Sequence, residues 1–457
     1  MIAALKTGYK KLWEPVSNTL HQTSEFAKRN ETILFWVMGL LYKFALDALY
    51  IWVANPLYGY AGLIYLPSFV KYVLGFAMYM ILFWYLPRKE DSVAAVLLHI
   101  QFAYTIAPML TFYALGNGSN KYMLMVFCCG MLESSILHRS RGRKNPIYLN
   151  GLDSYVSVGI GVLAVVALTI PVIYNGFAGL RVFDFNYIYE MRENATYPPG
   201  FTYLFFWMGK AIIPFAVVLL LERKRYGWMM AAIAVQILLY MECGNKYLLF
   251  ILVPVLAVYL CAKTGHLIKL MYAGLTALFL VLIPAYKLDL AGHHALGVQG
   301  SFYIAVRAIF HPADNKFTMF ECFSQLPKMF FSDGLIGKML GLTDLYAGSE
   351  GQITYAYNGG TFLEANYNTG YLGEAYAQMG FVGMLLMSVL FALILRAVES
   401  YNSSKRFCLL TAVFAMYIIN LNDISLLTTL LSSGLAIVLV LLAVYLKKDQ
   451  EDQIGGV

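Results

Sequence analysis

Apolar runs close to 20 residues long, separated by short basic clusters, recur from residue 32 to residue 446. One such run is the length of helix that crosses the roughly 30 Å hydrocarbon core of a bilayer. A dozen of them cannot be hidden inside one soluble domain, because a fold of this size has too little interior for so much apolar surface. The chain of 457 residues is 60% apolar and only 13% charged, with 30 Phe and 35 Tyr. Spans are predicted at about 32–54, 67–86, 93–114, 121–137, 153–175, 200–221, 227–242, 247–262, 268–286, 379–396, 407–421 and 426–446. The expected fold class is therefore an all-α polytopic membrane protein with about 12 transmembrane helices. Hydropathy does not repeat between the two halves, unlike in transporters built from duplicated bundles.

Charge sets the orientation. Twelve crossings put both termini on one side, and with the N-terminus inside, the inside segments carry 21 of the 33 Lys and Arg in short loops. Positive charge in short loops holds a segment in the cytoplasm, so both termini are expected there. The net charge of +7 follows from this bias. The basic residues form no stripe of the kind that binds nucleic acid, which excludes that partner class. The chain divides into a cytoplasmic segment 1–31, a transmembrane domain 32–446 and a cytoplasmic tail 447–457. Residues 1–31 hold no apolar stretch with a cleavage site, so no removable signal peptide is expected. Ile2, Leu5, Tyr9 and Leu12 beside Lys6, Lys10 and Lys11 fit either a helix lying on an anionic membrane face or a solvated leader.

Two outside connections stand out, at 176–199 and 287–378. Connections this long are commonly functional. The second is rich in aromatics, as in Phe302–Phe310 and Phe317–Phe331, and is expected to fold into a helical cap on the outer membrane surface. Arg181 and Arg192 in the first oppose the orienting bias. A pair of guanidinium forks suits a pyrophosphate, while the alternative is pairing with Asp184 or Glu190. Lys246, at the turn Glu242-Cys243-Gly244-Asn245-Lys246, either extends that cationic site or snorkels to headgroups. Arg307 likewise binds an anion or forms a salt bridge.

The end of the second connection combines Tyr357, Asn358, Tyr367 and Asn368, residue types that stack on and hydrogen-bond a sugar but also serve an ordinary ordered loop. Gly373, Ala377, Gly380 and Gly383 follow at near-helical spacing, a pattern for close helix packing. Glu374 is placed to act as a general base or simply to sit favourably in the first turn of a helix. His293, His294 and His311 are rival bases whose spacing makes no metal set. Six scattered Cys show neither zinc-ligand spacing nor a disulfide framework. Walker, Rossmann and Asp-x-Asp patterns are missing, which leaves ATP and metal-bound nucleotide-sugar chemistry without support.

Twelve spans with both ends inside, an arginine-bearing outer loop, a long late outer loop and its closing Asn368-Thr369-Gly370-x-x-Gly373-Glu374-x-Tyr376 together resemble the Wzy-type polysaccharide polymerases. Neither Arg181 nor Arg192 meets the family's usual spacing of an arginine to a following glycine. The resemblance implies a GT-C-like fold and an inverting, metal-independent glycosyltransferase in the bacterial inner membrane. It would join undecaprenyl-pyrophosphate-linked oligosaccharide repeat units at the periplasmic face, without a cofactor. It further implies that Arg181, Arg192, Lys246 and Arg307 hold pyrophosphate, that Glu374, His311 or His294 accepts the proton, and that Tyr357, Asn358, Tyr367 and Asn368 bind sugar. Besides membrane lipids, the implied partners are a Wzz-like chain-length regulator and a flippase.

The first outer loop, Asn55–Leu66, lacks the acid found in oligosaccharyltransferases, which favours the polymerase and ligase branch. An O-antigen ligase, which uses the same donor, is the nearest alternative. A lipid-linked oligosaccharide flippase is the alternative from another class. Transport calls for charges lining a cavity between spans, whereas the mid-span charges are chiefly Lys43 and Asp47, four apart and suited to a structural pair.

Overall fold

The computed structural model describes residues 31–446 apart from 140–145, 177, 178, 180, 182, 183, 185, 186, 189, 190, 192, 193, 294, 295, 347 and 362–364. The amphipathic leader, the tail, Arg192, Glu190 and His294 lie outside the described residues. Every regular element among the described residues is helical. A helix stands at each of the twelve predicted stretches, from Thr32–Ala61 to Leu426–Tyr445. Eight are long and apolar enough to cross a bilayer. Phe69–Tyr85, Lys246–Ala262 and Phe407–Asn420 are shorter apolar helices. This is the architecture of a polytopic membrane protein.

One polar cluster inside the bundle is tied together, as low dielectric favours. Lys43 pairs with Asp47 one helical turn on. Thr111 accepts from Lys43 at 3.1 Å and donates to Asp47 at 2.8 Å, and the Tyr72 hydroxyl donates to Asp47 at 3.0 Å. Three helices are thereby joined through one ion pair.

Two features depart from simple crossing helices. Residues Gly370–Ser400 form a hairpin and not one long helix, because Met379 and Gly380 leave helical geometry, with Gly380 at φ 64°. Tyr371 and Phe391 would stand ~30 Å apart along a straight helix, yet their ring centroids are 5.6 Å apart. A short arm, 370–378, thus folds back along 381–400. Gly383 permits the contact, since a Cβ there would strike the Ala375 carbonyl. Glu374, expected in the first turn of a span, lies on this arm.

The other departure is in the 287–369 connection, which marks what we term the upper end of the bundle. Its helices are not all short. From Gly297 to Gln325 the chain is continuously helical, π-helical over Phe302–Phe310 and α-helical over His311–Gln325. The run is seated among helix ends: Phe310 meets Tyr50 at 5.0 Å, and Phe317 meets Phe112 and Tyr122, each at 5.3 Å. Its aromatics are core residues of the bundle and not merely a surface layer.

The hairpin makes a direct prediction. In a background without the six native cysteines, Cys at positions 371 and 391 should be joined within one chain by a bifunctional thiol reagent of about 10 Å reach, too short for the ~30 Å of a straight helix. Peptide mass spectrometry after proteolysis detects the link; its absence with both thiols labelled would contradict the fold-back.

Candidate functional site

Proline builds the site. Pro312 has no N–H, so the backbone ladder is interrupted where the π-helical segment, ending with His311 N–H on Val306 O, passes into α-helix. Asn422 reaches this stretch from the turn after Phe407–Asn420, its Nδ2 donating to Ala308 O at 3.2 Å. Lys316, one turn beyond Pro312, is fully buried and donates to three oxygens: Pro312 O at 3.0 Å, Asn422 O at 2.7 Å and Asn422 Oδ1 at 3.0 Å. All three ammonium protons are thus used. The arm joins the same turn, with the Tyr371 N–H donating to Leu421 O at 3.2 Å. Gly370 is required there: its φ is 61°, and a Cβ would collide with the carbonyls of Leu421 and Asn422.

Around this junction the upper end gathers charge. Arg307, exposed on the π-helical segment, acts electrostatically on His311 and Asp423, and so does Lys316. Burial, helped by the Arg307 and Lys316 charges, holds His311 down at about 4, so its imidazole is neutral at physiological pH. Burial pushes Asp423 up to about 6 against the pull of Lys316 and Arg307. Lys316 itself is lowered to about 7 by burial, with Asp423 opposing. His311 Nδ1 and one oxygen of Asp423 are buried with no hydrogen-bond partner among the described residues. Such groups are costly to leave unpaired, and a water, an ion or a ligand is their usual partner.

The arm supplies a second group. The Glu374 carboxylate accepts from Ser425, in the same turn as Asp423, and faces the charges of Glu350 and Asp333. Burial, then Asp333, raises Glu350 to about 7. On the other side stands an aromatic surface. His311 packs edge-on to Tyr58 at 5.5 Å and Tyr367 at 6.1 Å, Tyr367 accepts from Asn358 Nδ2 at 2.9 Å, and the Asn368 carbonyl accepts from Asn315 at 3.2 Å. Tyr357 is held by Gln325 at 2.7 Å, at the far end of the His311–Gln325 helix.

Thus Arg307, His311, Tyr367 and Asn368 come together, and Glu374 reaches the same turn by way of Ser425. Arg181 is placed among other residues. Arg181 lies over Tyr187 at 5.9 Å, and the segment around Ile188 packs on the Tyr240–Gly244 turn that precedes Lys246. The described contacts do not bring Arg181 to Arg307. Sequence reasoning missed Lys316, Asp423 and Asn422. The available signal was Pro312 four residues before a lysine in a helical run, with Asn-Asp directly after a span.

Arg307 can meet an anion, neutral His311 can accept a proton, and the tyrosine and asparagine surface can hold a polar ring. Titration tests this geometry. A carboxyl raised in the folded state binds its proton more tightly there than when unfolded, so its stabilising effect is complete below about pH 4 and is lost as pH rises through about 6. Asp423→Asn should therefore flatten the fall of the detergent-solubilised protein's melting temperature between about pH 4 and 6; identical slopes would show that Asp423 is not desolvated at the junction. No protein-family model, no curated protein and no solved structure matches this chain.

Proposed function

We propose that this chain is a Wzy-type polymerase, a GT-C-like glycosyltransferase of twelve spans that joins undecaprenyl-pyrophosphate-linked oligosaccharide repeat units at the periplasmic face of the bacterial inner membrane. The observation that carries the reading is the assembly of exposed Arg307, neutral His311 and the Tyr367–Asn368 surface at the end of the bundle bearing the long connection.

In this reading the growing chain is the donor. A hydroxyl of the incoming repeat unit attacks the anomeric carbon from the face opposite the leaving group, forming a new C–O bond as the bond to the pyrophosphate oxygen breaks, with inversion. The hydroxyl proton passes to His311, which its environment keeps unprotonated before the attack. The electron pair leaves on undecaprenyl pyrophosphate, where Arg307 offers a bidentate fork for the growing charge. Lys316, its protons already taken, contributes field and not contact. Glu374 is the alternative base, reached through the turn that holds Asp423.

Chain formation by the purified protein from one defined lipid-linked repeat unit tests the reading. His311→Ala should slow turnover by about 10²–10⁴ and Arg307→Ala by about 10²–10³. Arg307→Lys should also be impaired because it keeps the charge but loses the fork. Chelator should leave the rate unchanged. Near-normal rates for both alanine variants, or loss with EDTA restored by magnesium, would overturn this assignment. Glycan transfer onto a lipid A core in place of another repeat unit would make the protein a ligase.

A further inference from the structure

Away from the upper end, one carboxyl is carried into the interior of the bundle. Glu133, on the Asn120–His138 helix, is fully buried, and so are Gln101 on the Val93–Gln101 helix and Ser388 on the long leg of the hairpin. The Tyr371 hydroxyl, at the start of the arm, joins two of them: it accepts from Gln101 Nε2 at 2.5 Å and donates to Glu133 Oε1 at 2.9 Å. Four segments of chain meet around this carboxyl.

The same bundle shows what a buried carboxylate needs. Asp47 has hydroxyl neighbours in Thr111 and Tyr72, and it has Lys43 as counter-charge. Glu133 has hydroxyl neighbours in Tyr371 and Ser388, but no Lys, Arg or His pairs with it among the described residues. Oxygen surrounds it instead. Glu133 Oε2 and Gln101 Oε1 are buried without a hydrogen-bond partner among the described residues, and Ser388 Oγ approaches Glu133 and Cys129 without completing a bond to either. Carboxylate and amide oxygens only accept, so they cannot satisfy one another. Unpaired acceptors around an uncompensated carboxylate suit a hard cation with oxygen ligands. A proton on Glu133 would satisfy one of these acceptors and leave the rest. A metal ion can engage Glu133 Oε2, Gln101 Oε1, Ser388 Oγ and the remaining lone pair of the Tyr371 hydroxyl together. Charge fixes its valence: one carboxylate balances one positive charge, and a divalent ion would leave a net charge buried. Nor does any group of three or more His, Cys, Asp and Glu suited to a metal ion occur among the described residues.

We propose that Glu133, Gln101, Tyr371 and Ser388 form a site for one dehydrated alkali-metal ion, Na⁺ or K⁺, in the interior of the bundle. The ion gives Glu133 what Lys43 gives Asp47. It also secures the arm, because the Tyr371 N–H donates to Leu421 O in the turn that carries Asn422. The site does not depend on the polymerase reading.

Melting of the full chain in neutral maltoside detergent tests the site, at one pH and one ionic strength, with choline chloride replaced stepwise by NaCl or KCl. At least one alkali ion should raise the melting temperature along a saturable curve, since a ligand of the folded state alone stabilises it by mass action. Choline, too large for the site, should not. Glu133→Gln keeps the shape and removes the charge, so the alkali-specific rise should vanish. Ser388→Ala should move the midpoint of the curve about tenfold to higher concentration. If Glu133→Gln fails to fold, Ser388→Ala decides. A response to Na⁺ alone or to K⁺ alone would support the site and identify the ion. Equal melting in all three salts, or an alkali-specific rise unchanged in the variants, would overturn it. So would labelling of Glu133 by dicyclohexylcarbodiimide, a reagent for protonated buried carboxyls, to the same extent in all three salts. An alkali-specific rise in a protein that forms no chains would uphold the site and remove the polymerase reading; chain formation with equal melting in all three salts would do the reverse.

Discussion

The amine of Lys316 fixes the upper end of this protein. Removed from water, an ammonium must have its protons filled or the cost runs to several kcal/mol. Here Pro312 and Asn422 supply three oxygens, and the same Asn422 donates to the Ala308 carbonyl of that helical run. One side chain thus holds the helical run at two points. Because Asn422 belongs to the turn after Phe407–Asn420, that helix, the 297–325 run and the arm of the hairpin are locked in one register. Gly370 completes the contact, since only a residue without Cβ can approach these carbonyls at φ 61°.

Division of labour among the charges follows. Lys316 is spent on structure, so its effect on bound groups is through space. Arg307 is exposed and retains its fork. The two cations and burial together hold His311 neutral. A neutral imidazole can accept a proton, and an exposed guanidinium beside it can meet an anion.

Length and hydropathy made the helices legible in the sequence, because bilayer thickness sets both. Arg307, His311, Tyr367 and Asn368 stood out as candidates because charge and aromatics within a long connection call for an explanation. The hairpin was not legible. Gly373, Gly380 and Gly383 read equally well as a packing stripe, and only the φ of 64° at Gly380 distinguishes a reversal from a straight helix. Lys316 escaped notice because its partners are backbone and amide oxygens far along the chain, which no local pattern signals. Arg181 and Arg307 looked equivalent in sequence and differ only in what the fold puts beside them.

The most direct test of the account is the chain-length profile of surface polysaccharide from cells lacking this protein, resolved by gel electrophoresis. A polymerase predicts surface lipid carrying single repeat units, with long chains restored by the wild-type protein and not by His311→Ala. Surface lipid without sugar, with long chains accumulating on undecaprenyl pyrophosphate, would contradict it.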